Sequence, residues 1–138
     1  MTIKLSQLLR NLDVLEMPAY RDIEILGLHY DSRQISPGFL FVAVPGFKTD
    51  GHNYIPAALS KGAVALVMEK PLPVPAGIVA VRVADSRKAL AQLAAEFYGN
   101  PASKMRVIGI TGTNGKTTTT HLIEAILEQP GNVVGRLG

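Results

Sequence analysis

Apolar residues recur along this chain at two spacings. Leu5, Leu8, Leu9 and Leu12 fall at i, i+3, i+4 and i+7, which predicts a short amphipathic first helix. Residues 23–30, 39–44, 63–68 and 78–83 are instead apolar runs of strand length. The run 39–44 is continuous, the mark of a strand buried on both faces, and 63–68 is of the same kind. Between the runs lie breakers. Asp31-Ser32-Arg33 is a polar turn, Pro37-Gly38 a second turn, and residues 45–51 a loop rich in glycine and proline. Residues 52–61 are expected to be helical, with Gly62 as the stop. Pro71, Pro73 and Pro75 mark a surface connection. Asp85 is positioned to cap a helix on which Leu90, Leu93, Ala94 and Phe97 share a face.

Residues 98–104, with Gly99, Asn100 and Pro101, are expected to link two units. Beyond them a buried strand at 105–110 is predicted to run into a glycine-rich loop and a helix over 116–128. The inner face of that helix would be Leu122, Ile123, Ile126 and Leu127. Gly131 ends the helix, and Val133-Val134 reads as the start of one more strand. Strands alternating with helices predict an α/β fold with a largely parallel sheet. The expected domains are 1–103 and 104–138. The second holds one strand, one loop, one helix and part of a strand, too little to cover both faces of a sheet, so the chain is expected to be the front of a longer enzyme.

Composition narrows the class. The chain has 138 residues, 47% hydrophobic and 18% charged, which suits a soluble globular protein and argues against disorder. It contains no cysteine, so disulfides and thiolate metal sites are ruled out. The net charge of +3 comes from scattered basic residues that form no run, an argument against a nucleic-acid partner. Lys4, Arg10 and Asp13 interrupt the N-terminus, and the uncharged stretches are short and broken by proline and glycine. No secretory leader and no membrane association are expected, and the implied location is cytoplasmic.

The chemistry concentrates in Gly112-Thr113-Asn114-Gly115-Lys116-Thr117-Thr118. Predicted strand, loop and helix follow in the order of a phosphate-binding P-loop. Glycines let backbone N–H groups turn towards phosphate, and the helix N-terminus favours an anion. Lys116 would reach the β- and γ-phosphates of ATP, and the Thr117 hydroxyl would bind Mg²⁺. The loop is a variant. The general spacing places its first glycine at position 110, where this chain has Ile110, with Gly109 one residue early. His121, on the following helix, has no assigned role.

The run Thr111-Gly112-Thr113-Asn114-Gly115-Lys116-Thr117-Thr118-Thr119-Thr120 closely resembles the P-loop of the Mur ligases, which add amino acids to UDP-N-acetylmuramoyl precursors. Asp31-Ser32-Arg33, Pro37-Gly38-Phe39-Leu40-Phe41-Val42-Ala43, Gly46, Asp50-Gly51-His52, Ala57 and Gly62-Ala63 resemble the N-terminal domain shared by the MurE and MurF types. The likeness covers about residues 25 to 138. The threonine-asparagine pair and the four-threonine run are more similar to the MurE type, the tripeptide synthetase, with MurF second.

The resemblance implies an N-terminal UDP-precursor-binding α/β domain followed by the first strand, P-loop and helix of an ATPase domain. Ser32, with Tyr30 beside it, would contact the UDP part of the precursor, and the loop Phe47-Lys48-Thr49 would close over uridine or pyrophosphate. Gly112, Thr113, Asn114, Gly115, Lys116, Thr117 and Thr118 would bind ATP, with Lys116 and Thr117 nearest the chemistry and Thr117 on the metal. From its residue type alone, Ser32 equally suits a turn in which its hydroxyl caps backbone N–H groups. Asp31 and Arg33 could pair with each other, His52 could cap the following helix, and Lys48 could be a solvated loop lysine.

The implied reaction is amide formation driven by ATP. The γ-phosphate passes to the D-glutamate carboxylate of UDP-MurNAc-L-Ala-D-Glu, and an amine, diaminopimelate or lysine, attacks the acyl phosphate. These 138 residues alone are expected to lack ligase activity. Two rival readings remain at this point: an unrelated P-loop kinase or NTPase, and a nucleotide-binding module without catalysis.

Overall fold

The computed structural model describes residues 1–137, so Gly138, the last residue of the expected second domain, lies outside the described residues. The chain forms two compact units, Met1–Lys104 and Met105–Gly138.

The first unit is a three-layer α/β arrangement. Its main sheet has the order β2-β7-β6-β5-β4, built from β2 (Val14–Glu16), β7 (Val79–Val83), β6 (Ala65–Met68), β5 (Phe39–Val42) and β4 (Gly27–His29). β4 to β7 are parallel, and β2 adds an antiparallel edge against β7. A separate two-stranded ladder joins β1 (Ile3–Lys4) to β3 (Glu24–Ile25).

Pleat alternation divides the side chains between two cores. Leu40, Val42, Ala65, Val67, Val79 and Val81 face α1 (Leu5–Leu8) and α3 (Ser86–Phe97), and pack with Leu5, Leu8, Ala89, Leu93 and Phe97. Phe41, Ala43, Leu66 and Met68 face the other way, onto Ile35 and the Ile55 and Ala58 side chains of α2 (Ile55–Ser60). Covered on both sides, these strands carry no polar alternation. Each fully buried large apolar side chain here contributes about 1.5–3 kcal/mol of hydrophobic free energy.

The elements expected in the first unit are present, with local differences. The first helix closes after Leu8, and a turn in which the Leu12 N–H donates to the Leu9 carbonyl carries the rest of the apolar face. The run 23–30 splits at Leu26, because Glu24 and Ile25 pair with β1 while Gly27 to His29 pair with β5. The helix expected at 52–61 is a 3-10 turn, Gly51–Tyr54, continued by α2. β2 was not foreseen. Its ladder partner lies nearly seventy residues on, too far for local patterning to register.

The second unit contains α4 (Lys116–Leu127) as predicted. The strand expected at 105–110 and the strand start at Val133-Val134 are absent among the described residues. The physical reason is the same for both: a strand exists only through a neighbour's ladder, and none lies beside either segment here. Val107, Ile108 and Val133 are exposed accordingly.

Candidate functional site

Four parallel strands end at one edge of the sheet, so the loops after β4, β5, β6 and β7 gather there. In open α/β sheets this carboxyl edge is where ligands bind. The loop after β4 carries Tyr30, Asp31, Ser32 and Arg33. The Asp31 carboxylate accepts from the Arg33 backbone N–H at 2.9 Å and from Arg33 Nη2 at 2.7 Å. The Arg33 guanidinium, followed by its backbone N–H, holds the Asp31 carboxyl down at about 2. Asp31 therefore caps the 3-10 turn Ser32–Gln34. The capping role considered for Ser32 falls to its neighbour, and the Ser32 hydroxyl makes no hydrogen bond among the described residues. Tyr30 is exposed, its ring stacked 5.2 Å from that of His29.

The loop after β5 is a small hairpin. Pro45 bridges Asp50, the Gly46 N–H donates to the Thr49 carbonyl at 2.9 Å, and the Gly51 N–H donates to the Val44 carbonyl at 3.0 Å. A Cβ at Gly51 would lie 2.6 Å from Val44 backbone atoms, so only glycine permits this closure. Phe47, Lys48 and Thr49 form the exposed tip, with the Arg87 guanidinium 5.9 Å from the Phe47 ring centre.

His52 does not cap a helix. Asp50 does that, accepting from the His52 N–H at 3.0 Å. The His52 ring is buried instead. Its Nδ1–H donates to Asp50 at 2.6 Å, and its Nε2 accepts from the backbone N–H groups of Glu69 and Lys70 at 3.0 and 3.3 Å. The Lys70 ammonium completes the cluster, 2.5 Å from the second Asp50 oxygen. That ammonium first, and the His52 backbone N–H second, pull the Asp50 carboxyl well below the ordinary carboxylate range. The roles of His52, Lys70, Glu69 and Arg87 were not legible in the sequence. Asp50-Gly51-His52 was visible as a turn, but its partners lie 17 to 20 residues away.

In the second unit, Gly115 adopts a left-handed φ of 74° and leads directly into α4, whose first residue is Lys116. No side chain caps this helix, so its first-turn N–H groups are left for an outside acceptor. The Lys116 ammonium folds back to donate to the Gly112 carbonyl at 2.5 Å. Thr117 and Thr118 stand exposed on the first turn, while the Thr120 hydroxyl is spent on the Lys116 carbonyl at 2.7 Å. The helix start thus offers its uncapped N–H donors and one ammonium, and the Thr117 hydroxyl makes no hydrogen bond among the described residues. This donor set fits a phosphate chain and its divalent ion. The precursor candidates thus share one sheet edge in the first unit, and residues 112–118 run in the second from a loop, 112–115, into the first turn of α4. Among the described residues no group of three or more His, Asp or Glu side chains could hold a metal, and no helix is long and apolar enough to cross a membrane.

The sequence pattern of the Mur ligase family catalytic domain matches residues 24–98, and that of the Mur ligase middle domain matches residues 110–138. The chain belongs to the Mur ligase family. The first match encloses every precursor-binding candidate, and the second encloses residues 112–118. Over 136 residues the chain is 43% identical to the UDP-N-acetylmuramoyl-L-alanyl-D-glutamate–2,6-diaminopimelate ligase of Alkaliphilus metalliredigens, covering 99% of this chain and 28% of that one. It is 49% identical to the UDP-N-acetylmuramyl-tripeptide synthetase of a Roseiflexus species, covering 99% of this chain and 27% of that one. Among solved structures, the MurF ligase of Thermotoga maritima in complex with ADP superimposes with a TM-score of 0.57 at 32% identity, over 78% of this chain and 26% of that one. The chain therefore spans little more than a quarter of the length of the Mur ligases it matches.

Proposed function

We propose that this chain supplies the precursor-binding domain, residues 1–103, and the opening of the ATP-binding domain, residues 104–138, of a MurE-type ligase. The enzyme joins an amino acid, diaminopimelate or lysine, to the D-glutamate carboxylate of UDP-MurNAc-L-Ala-D-Glu, releasing ADP and phosphate. The observation that carries this reading is the uncapped start of α4, with left-handed Gly115 before it and Lys116 as its first residue. The two tripeptide-synthetase relatives support the choice of the MurE type. The likeness to the Thermotoga MurF keeps the MurF type as a second reading.

ATP, held with Mg²⁺, would supply the phosphoryl group that activates the carboxylate. The backbone N–H groups of 112–118 orient the phosphates, and the Lys116 ammonium leaves the Gly112 carbonyl to neutralise charge on the β- and γ-oxygens. The Thr117 hydroxyl would help to hold the metal. At the sheet edge, the unengaged Ser32 hydroxyl takes a polar edge of uracil or a phosphate oxygen, with Tyr30 beside it. Phe47, Lys48 and Thr49 cover the nucleotide, Phe47 offering a ring face and Lys48 a charge.

Calorimetric titration with UDP tests the reading. The chain is expected to bind UDP, and Ser32→Ala is expected to weaken binding about tenfold, the loss of one hydrogen bond to a charged group. Absence of UDP binding to the unaltered chain would reject the precursor site and favour a different P-loop enzyme.

A further inference from the structure

The hairpin at 45–50 is tied at both ends to other elements. At its start, Arg87 Nη2 donates to the Pro45 carbonyl at 2.8 Å. At its end, Asp50 takes hydrogen bonds from His52 Nδ1 and Lys70 Nζ, and His52 Nε2 accepts from the Glu69 and Lys70 backbone. The two anchors are themselves joined. Glu69 Oε1 accepts from both the backbone N–H and the hydroxyl of Ser86, at 2.8 and 2.7 Å, and Ser86 precedes Arg87 on α3. The bonds therefore close into a ring. It passes from Pro45 to Arg87 and Ser86, on to Glu69 and its neighbour Lys70, and back through His52 and Asp50 to the Pro45 bridge.

We infer that this ring is a positioning device for the tip Phe47-Lys48-Thr49, and that Glu69, Ser86 and His52 are its positioning residues. Three features carry the inference. The ring crosses the ends of β5, β6 and β7, so it fixes the hairpin to the sheet, and it reaches the tip through Arg87 alone. Its central members are sequestered: Ser86 is wholly buried and His52 is 5% exposed. The tip projects beyond it, Phe47 being fully exposed with the Arg87 guanidinium of the ring beside its face. A tip presented in this way meets a ligand with little ordering left to do. Its role in holding the nucleotide of the precursor rests on the function proposed above.

The test separates the two claims. In the 138-residue chain, amide hydrogen exchange at Gly46 and Gly51 reads the hairpin directly, because both N–H groups donate within it. Glu69→Ala is expected to speed exchange at both glycines about tenfold and leave the amides of β5 and β6 unchanged. Glu69→Gln, whose side-chain oxygen still accepts from Ser86, is expected to restore protection. Ser86→Ala, which removes only the hydroxyl bond, is expected to fall between and serves should Glu69→Ala fail to fold. UDP affinity is expected to fall in the same order as protection. Unchanged exchange in Glu69→Ala and Ser86→Ala, or equal damage from Glu69→Gln, would overturn the ring. Lost protection with UDP affinity kept within about twofold would overturn its part in precursor binding. If the unaltered chain binds no UDP, the proposed function fails while the exchange measurement still decides the ring.

Discussion

α3 and α4 are both twelve residues long and both carry an apolar face, yet they do opposite work. α3 begins under its own cap, the Asp85 carboxylate accepting from the Lys88 N–H at 2.9 Å, so one of its first-turn donors is satisfied from within the chain. Its face is spent on the sheet, with Ala89, Leu93 and Phe97 buried. α4 begins at a glycine with no side-chain cap, and its face is open among the described residues, Leu122 being 61% and Ile126 68% exposed. Burial and a built-in cap make a helix structural, whereas an uncapped start behind a left-handed glycine leaves donors for something else to satisfy.

The largest expected effect probes the open start. Lys116→Ala, introduced into a complete ligase carrying these residues, should lower turnover by about 10²–10³-fold, as for other lost stabilisers of developing charge. Unchanged turnover would reduce the loop to a binding module. The next probes burial. Leu93→Ala should destabilise the chain by about 2–5 kcal/mol in urea unfolding, whereas Ile126→Ala should stay within about 0.5 kcal/mol. Equal costs at the two positions would break the contrast between the helices.

Smaller still is the cap. Asp85→Ala should cost about 1 kcal/mol, and Asp85→Asn much less, because an asparagine oxygen still accepts from the backbone. The last is a pH effect. When folded, Asp50 titrates below its ordinary value of 3.8, so its contribution is complete above about pH 4 and is lost as pH falls towards the folded value. Lys70→Met removes the first cause of that shift. The stability gap between the two proteins, under about 1 kcal/mol for so exposed an ammonium, should therefore be widest above pH 4 and close in acid.

Much was legible in the sequence because the cause was local. The Asp85 cap, the i, i+4 face of α3, the extent of α4, and the strands at 39–42, 65–68 and 79–83 follow from propensity and spacing within a few residues. The face of α4 expected to turn inward is not buried, Leu122 and Ile126 being exposed. The glycine-lysine-threonine junction at the head of α4 was legible for the same reason, since one turn of chain holds all its parts. Whatever needed a distant partner was decided only by tertiary structure. Leu26 breaks a continuous apolar run because β1 claims one side of it and β5 the other. The apolar run 105–110 forms no strand where no neighbour offers a ladder. His52 becomes a buried clasp only because folding brings the ends of β5 and β6 together. Local patterning encodes which face a residue turns towards, and the fold alone supplies what it meets there.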